Sequence, residues 1–567
     1  MNEKITQWLA KDPDPRTREE LQRLMAENNT TELEDRFRSR LEFGTAGLRG
    51  KVGCGPNRMN RLVIQQTATG LGQYLLHQFD DAKERGVVIG YDGRLDSKQF
   101  AHDTAAVLAA QGFTVYLTHD VAATPIVAFG IKTLNTVAGV VVTASHNPPE
   151  YNGFKVYWEN GAQIIPPHDA GIAHQIDVAA ESPLELICVE EAVALGRLIW
   201  LKDDYYQSYR DSINNSPLLS NHTQPNGITI SYTAMHGVGA RMAETLLADA
   251  GFDQVYSVKD QREPDGTFPT VAFPNPEEAG AMDKVIALAK QHNADIACAN
   301  DPDADRFAAA VRKADGEYQM LSGDQVGALF GDYLLANSDA SKQLVGNTIV
   351  SSSLLKRIAE SYSASYFQTL TGFKWLTNVA MQKQDAQHQF LFAYEEALGY
   401  TIGSNVWDKD GLSALVAFAQ LTAALRAQGK TIWDQLEAIY RQHGVYVNAQ
   451  RSIALAPDTP PIGEKLRANP PTSIAGRQIE SIEDLKTQIH SFADGSSQPI
   501  DLPSSDVLIY HLAGDARVIV RPSGTEPKLK CYYELREAFD DSQDFAAVQE
   551  QAELAMDMLI AEHQHTL

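Results

Sequence analysis

Four cysteines in 567 residues, Cys54, Cys188, Cys298 and Cys531, stand apart with no C-x-x-C pair among them. That spacing excludes a disulfide framework and reads as reduced thiols, hence a cytoplasmic protein. Basic residues are outnumbered, 48 Lys and Arg against 73 Asp and Glu, for a formal charge of −25. Such a balance opposes nonspecific binding to nucleic acid or an anionic membrane, so an anionic substrate needs a locally basic pocket. No apolar run approaches the ~20 residues of a membrane span, and the charged, amphipathic start MNEKITQWLAKDPDPRTREELQRLM has no apolar core. We read the chain as soluble and unexported. A Walker-type phosphate loop is missing: AQGKT, from Ala427 to Thr431, lacks the earlier glycine, so ATP is not implied. Low-complexity tracts and short solenoid repeats are absent as well.

What is present is one recurring pattern: a short β-branched run, a polar turn, an amphipathic helix closed by glycine, then another strand. VVIGYDGR precedes SKQFAHDTAAVLAAQG, whose Gly112 reads as a helix C-cap before FTVYLT. ITISYTAMHGVG precedes ARMAETLLADAG and QVYSV, and NTIVSSSLLKRIAESYSASYF starts the pattern a third time. Successive α/β units with partly parallel sheets follow. The stretches from Trp200 to Ser216 and from Lys313 to Tyr318 read as connections, and a smaller α+β domain is expected after about Val445.

Three loops carry charge that ordinary folding does not demand. In NDPDADRFA, Asp301, Asp303 and Asp305 alternate after an apolar strand, a spacing that lets carboxylates converge on one hard cation. An EF-hand is excluded because Arg306 stands at the glycine position and Arg312 at that of the bidentate glutamate. In VIVRPSGTEPKLKCYYE, Arg521 offers a bidentate fork and Ser523, Gly524 and Thr525 offer hydroxyls and close backbone approach, together a phosphate cradle; a plain hairpin with an exposed arginine is the alternative. In LFAYEEALGYTIG, Glu395 and Glu396 follow a strand-like run and suit vicinal sugar hydroxyls, or else they are the first-turn acids of a helix.

A fourth stretch, VVVTASHNPPEYNGFKVYW from Val140 to Trp158, runs as a buried strand and breaks at Pro148 and Pro149, leaving Ser145 on a turn at a sheet edge. Ser145 lacks a G-x-S-x-G elbow, and its neighbour His146 cannot simply be assumed to face it, since adjacent side chains diverge. A serine, an aspartate cluster and a phosphate cradle together describe phosphoryl transfer. His236 reads as a turn histidine bonding backbone, Asp92 with Arg94 as a structural ion pair, and Asp410 as an N-cap.

TASHNP, DPDADR, YEEALG and RPSGTEP occur in the order found in the α-D-phosphohexomutases, the phosphoglucomutase and phosphomannomutase superfamily, and the resemblance spans nearly the whole chain. FGTAGLRG and TGFKW look most like the longer branch that includes phosphopentomutases. The resemblance implies four domains around a central cleft, three related α/β units with mixed sheets plus a smaller C-terminal α+β domain, with expected limits at 1–205, 206–316, 317–444 and 445–567.

By the same resemblance Ser145 would be the phosphorylated serine, with His146 part of its motif. Asp301, Asp303 and Asp305 would hold Mg²⁺ with an oxygen on Ser145. Arg306 would lie beside them, and Arg49 and Lys155 near the reacting phosphate. Arg521, Ser523, Gly524 and Thr525 would grip the other phosphate. Glu395 or Glu396 would bind sugar hydroxyls, and Gly372 and Lys374 lie in a loop associated with sugar orientation. Lys155 is the expected general base, its pKa lowered by a crowded cationic pocket. The implied reaction interconverts glucose 1-phosphate and glucose 6-phosphate through a phosphoserine and glucose 1,6-bisphosphate. Many relatives carry a serine where this chain has Ala397, so phosphomannomutase and phosphopentomutase stand as alternatives. A sugar phosphatase would not need both sugar loop and distant cradle, and a silent binding protein would have lost a central residue.

Overall fold

The computed structural model describes residues 2–44, 47–219, 225, 227–455, 462–522 and 528–566. It opens with three helices, Asn2–Lys11, Pro15–Ala26 and Thr30–Phe37, whose Ile5, Trp8, Leu21, Leu24, Leu33 and Phe37 join the core of the first sheet. That sheet is built from β1 (Gly47–Lys51), β2 (Val87–Tyr91), β3 (Val115–Thr118), β4 (Ala138–Val142), β5 (Tyr151–Trp158) and β6 (Leu198–Leu201), in the order β1-β5-β4-β2-β3-β6. β2, β3, β4 and β6 run parallel, while β5 is antiparallel to both β4 and β1. All-buried β2 and β4 are near-continuous apolar runs, as a strand covered on both faces requires. Helix Ser97–Ala110 ends as expected: Gly112 takes φ +94° and the Phe113 amide donates to the Leu108 carbonyl.

The second sheet repeats the pattern with β7 (Thr229–Thr233), β8 (Gln254–Ser257), β9 (Ile296–Asn300), β10 (Phe307–Arg312) and β11 (Tyr318–Met320), in the order β11-β10-β9-β7-β8. Its parallel strands β7, β8 and β9 are followed by an antiparallel return through β10 and β11. The stretch from Lys313 to Tyr318, read as a connection between domains, is thus the turn of the β10–β11 hairpin: Lys313 N–H donates to the Glu317 carbonyl and the strands pair on either side. The stretch from Trp200 to Ser216 finishes β6 and continues as helix Asp203–Asn214.

In the third repeat, β12 (Gln343–Thr348) and β13 (Ser365–Thr369) are parallel, and β14 (Gln389–Glu395) and β15 (Gly399–Ile402) form an antiparallel hairpin. The strand expected at NTIV ends earlier, at Thr348, because the Ser351 amide closes a turn on the Thr348 carbonyl. The last part starts at Val445 and carries a larger sheet than any before it. β16 (Val445–Ala454), β17 (Ser473–Ile474), β18 (Arg477–Asp484), β19 (Ile489–Phe492), β20 (Ser497–Pro499), β21 (Leu508–Leu512), β22 (Ala516–Pro522) and β23 (Lys528–Glu537) are all antiparallel, ordered β16-β23-β22-β21-β18-β19-β20 with β17 on β18. Helix Phe545–Thr566 packs Met556, Leu559 and Ile560 against Tyr510, Val518 and Tyr533 on one face of it. The architecture is three α/β units with mixed sheets followed by a β-rich C-terminal domain.

By internal packing the chain divides into two units, one of Met1–Gly323, Phe373–Gln382 and Phe390–Gln428, the other of Asp324–Gly372, Lys383–Gln389 and Gly429–Leu567. No helix among the described residues is long and apolar enough to cross a membrane.

Candidate active site

Ser145 follows β4 in the turn before β5, with φ +51°, and its amide donates to Thr143 Oγ1 at 2.8 Å. On this left-handed turn the two neighbouring side chains do meet, with Ser145 Oγ and His146 Nδ1 3.3 Å apart. Ser145 is buried and donates from Oγ to Asp301 Oδ2 at 2.9 Å.

The loop after β9 gathers Asp301, Asp303 and Asp305. Left-handed Ala304 turns it, closed by the Ala304 amide on the Asp301 carbonyl, and the three carboxylates, all fully buried, bring ligand oxygens within 4.8 Å of one another. Lys155, reaching in from β5, donates to Asp303 Oδ2 at 2.7 Å and Asp305 Oδ2 at 3.0 Å. Lys409 lies 3.3 Å from Asp305, the Arg306 amide donates to Asp301 Oδ1, and Thr124 Oγ1 donates to Asp303 Oδ2. Asp303 Oδ1 and Asp305 Oδ1 remain buried without a hydrogen-bond partner among the described residues. Orphaned, anionic oxygens converging on one point fit a hard divalent cation such as Mg²⁺.

Burial, then repulsion from Asp303 and Asp305, pushes the Asp301 carboxyl well above its ordinary range. Asp303 is also penalised by burial, but Lys155 outweighs that and holds it low. For Lys155 burial disfavours the ammonium, while Asp303 and Asp305 more than offset it and raise its pKa. The lowered pKa expected of a general base at Lys155 is thus corrected: its nearest charged partners are carboxylates. His146 behaves oppositely, pushed down to about 2 by burial and by Arg306 and Arg49, so its ring is neutral.

The ion pair expected between Arg94 and Asp92 is present at 3.3 Å. The Arg94 guanidinium also donates to the carbonyls of Ser145 at 2.7 Å, Asn147 at 2.5 Å, Pro148 at 2.8 Å and Tyr151 at 3.0 Å, so one buried side chain shapes the whole serine turn. Arg49 reaches the same turn from β1, donating to Asn147 Oδ1 at 2.9 Å. Sequence reasoning also missed Lys409 and Asp408. Asp408 accepts from Tyr157 at 2.5 Å and Gln163 at 2.9 Å, and lies 3.4 Å from Lys409. The signal was the alternation DKD before the helix, of which only Asp410 was singled out; it caps Leu412 and Ser413 as expected. His236 differs in detail, its Nε2 meeting Thr270 Oγ1 at 2.8 Å rather than backbone.

Glu395 ends β14 and Glu396 enters the hairpin turn to β15, which removes the helix-start alternative. The turn adjoins the aspartate loop, since the Phe307 amide donates to the Leu398 carbonyl. Lys374 is buried, and burial lowers its pKa despite Asp169. The structure therefore gathers Arg49, Ser145, His146, Lys155, the three aspartates and Arg306, with Lys374, Glu395 and Glu396 in the same unit. Gly372, at φ +105°, and Arg521, at the end of β22, belong to the other unit. Ser523, Gly524 and Thr525 lie outside the described residues.

Models of the phosphoglucomutase/phosphomannomutase α/β/α domains I, II and III match residues 40–182, 207–316 and 322–443, and the model of its C-terminal domain matches 503–552. The chain belongs to this family, the α-D-phosphohexomutases. It is an enzyme of the mutase class, an isomerase that transfers a phosphoryl group, and the family is Mg²⁺-dependent. A probable phosphomannomutase of Haemophilus influenzae is 42% identical over 84% of this chain and 93% of its own. A phosphopentomutase of Homo sapiens is 37% identical over 94% and 91%, and a human glucose 1,6-bisphosphate synthase 33% identical over 98% and 93%. The crystal structure of a putative phosphomannomutase of Thermus thermophilus superposes with a TM-score of 0.69 at 20% identity, covering 93% of this chain and 99% of that one, a likeness of fold.

Proposed function

We propose that this enzyme interconverts the 1- and 5-phosphates of a pentose such as ribose. The observation that carries the reading is Ala397, half-buried in the Glu395–Gly399 turn where a serine would offer a hexose hydroxyl a further hydrogen bond. Relatives named phosphopentomutase and phosphoribomutase, matching over 94% of the chain, support it and displace the glucose preference expected from the motifs. Mannose 1- and 6-phosphates are the second reading, favoured by the 42% identical relative named as a probable phosphomannomutase.

In this reading Ser145, phosphorylated, donates its group to the free hydroxyl of the bound sugar phosphate; the resulting bisphosphate turns over, and its other phosphate returns to Ser145. Glucose 1,6-bisphosphate would serve as a charging donor, and the relative named glucose 1,6-bisphosphate synthase supports that role. Asp301, Asp303 and Asp305, with an oxygen on Ser145, would hold Mg²⁺, which when bound neutralises charge on the transferring group. Lys155, Arg49 and Arg306 supply positive charge around that group, and Arg94 fixes the serine turn so that the oxygen need not reorganise. His146, its ring neutral and 3.3 Å from Ser145 Oγ, holds the serine oxygen in place, and Lys155 is the phosphate-facing cation. Glu395 or Glu396 accepts from sugar hydroxyls, Lys374 and Gly372 orient the ring, and Arg521, Ser523, Gly524 and Thr525 hold the non-reacting phosphate.

The test compares initial rates for ribose 1-phosphate, mannose 1-phosphate and glucose 1-phosphate with Mg²⁺ and a bisphosphate activator, beside Ser145→Ala. A ribose preference lost in the variant is expected. Preference for mannose or glucose would keep the chemistry and replace the substrate, whereas activity surviving in the variant would overturn the mechanism.

A further inference from the structure

Away from the aspartate loop, a second set of potential ligands converges on the C-terminal sheet: Glu483 on β18, His490 on β19 and His511 on β21, with one ligand atom from each lying within 4.8 Å of the others. Register explains the meeting. Glu483 stands opposite His490, and Ser481, two residues back on the same face, stands opposite His511. Directly paired residues of antiparallel strands share a face, and diagonal neighbours are within reach of long side chains. The opposite face of β18 and β21 carries Ile482 and Tyr510 into the core, so this row lines the face not occupied by that core.

We propose that Glu483, His490 and His511 bind a divalent transition ion of the Zn²⁺ class and thereby tie together the three adjacent strands β19, β18 and β21. Two imidazoles and one carboxylate suit Zn²⁺ or Co²⁺ and do not suit Mg²⁺, which prefers an all-oxygen shell. His511 Nε2 and Glu483 Oε1 are 2.7 Å apart, the two imidazole rings 5.8 Å apart between centroids, and all three residues are half-buried, which leaves an entry path. His490 is held at both ring nitrogens, by Ser481 Oγ at 2.9 Å and Gln498 Nε2 at 3.3 Å. Turning one nitrogen to a metal leaves the other with the outer partner that orients such ligands. Arg517, opposite His511 on the neighbouring strand, would oppose a cation. Its charge is engaged elsewhere, by the carbonyls of Ile349 and Ser351 and by Glu534 at 3.3 Å. Glu483 and His490 lie between the stretches matched by the third and fourth family domains, so the phosphoryl-transfer chemistry does not account for them.

The test uses the full chain, stripped with chelator and returned to saturating Mg²⁺, titrated with Co²⁺ and followed by its visible absorption, with Zn²⁺ as competitor. The native chain should take up one Co²⁺ equivalent that Zn²⁺ displaces and that His490→Gln with His511→Gln abolishes. His490→Cys should retain the single equivalent and add a sulfur-to-cobalt charge-transfer band that the native chain lacks, with a cooperative urea transition showing that the variant is folded. Equal uptake by native and doubly substituted chains, or cobalt uptake by His490→Cys without the sulfur band, would overturn the proposal.

Discussion

Ser145 Oγ donates a 2.9 Å hydrogen bond to Asp301 Oδ2, joining the turn after β4 to the loop after β9 across 156 residues of chain. The bond fixes the serine oxygen against the cluster that fits a divalent cation, and both partners are buried. Asp301→Asn keeps the shape but removes one unit of negative charge from the ligand set. Mutase activity is expected to fall by about two to three orders of magnitude, the scale of losing a preorganised electrostatic contact, with the apparent Mg²⁺ requirement raised. Activity measured against Mg²⁺ concentration decides it: an unchanged Mg²⁺ requirement would remove Asp301 from the cation site.

Lys155 bridges Asp303 and Asp305, so its loss leaves two buried carboxylates without their nearest cation. Lys155→Met should therefore lower stability by about 3 kcal/mol in metal-free buffer, since breaking a buried pair exposes an uncompensated charge. Saturating Mg²⁺ should recover part of this. Turnover should drop more than sugar-phosphate affinity; a change confined to KM would show that Lys155 only binds.

Arg94 anchors four carbonyls of the serine turn from one guanidinium. A lysine has the charge but not the planar fork, so Arg94→Lys should lower kcat by roughly 10- to 100-fold through misplacement of Ser145. KM and Mg²⁺ dependence should stay near native values. A variant with native kcat would show that the turn holds its shape without the fork.

Much of this arrangement was legible beforehand, because strands rich in Val, Ile and Ala and helices closed by glycine have local causes. Gly112, Asp410 and the strand that begins at Val445 fall in that class. The alternation of Asp301, Asp303 and Asp305 was equally local. What escaped depends on contacts far apart in the chain. Nothing in YDGR says that Arg94 will meet carbonyls more than fifty residues away, and Lys409 gains its meaning only beside Asp305. Whether His146 faces Ser145 was not legible, because the positive φ of Ser145 is a tertiary outcome for a residue with a Cβ. The KADGEY turn was misplaced since a polar Gly-containing stretch looks the same within a hairpin as between domains.

His563, near the end of the last helix, is buried, and its pKa is pushed down to about 4 by burial; Tyr533 faces its Nδ1 at 2.9 Å. Unfolded, the ring titrates near 6.5. Between those values the unfolded chain binds a proton that the folded chain does not, so stability falls as pH drops from about 6.5 towards 4 and is unaffected above 6.5. The contribution reaches roughly 3 kcal/mol at the acid end. Urea unfolding at pH 7 and pH 5 should show a drop in native protein that is smaller in His563→Phe. Equal drops in both would mean that His563 titrates normally in the fold.

Gly411 opens helix Gly411–Ala427 directly behind the aspartate loop. A Cβ there would come within 2.2 Å of the Arg306 carbonyl oxygen and 2.6 Å of Asn300 Nδ2, groups that bond each other at 2.7 Å. Alanine would ordinarily favour a helix by up to about 1 kcal/mol over glycine. Against that stands a contact with backbone that cannot rotate aside, and overpacking of this kind costs about 1–3 kcal/mol. Gly411→Ala should thus be net destabilising. Because Arg306 follows Asp305, the strain should also reach the carboxylates, so the urea midpoint should fall and the Mg²⁺ concentration for half-maximal activity should rise together. A variant destabilised with unchanged Mg²⁺ dependence would show that the loop relaxes independently of its ligands; one with neither change would show that the helix does not press on the loop at all.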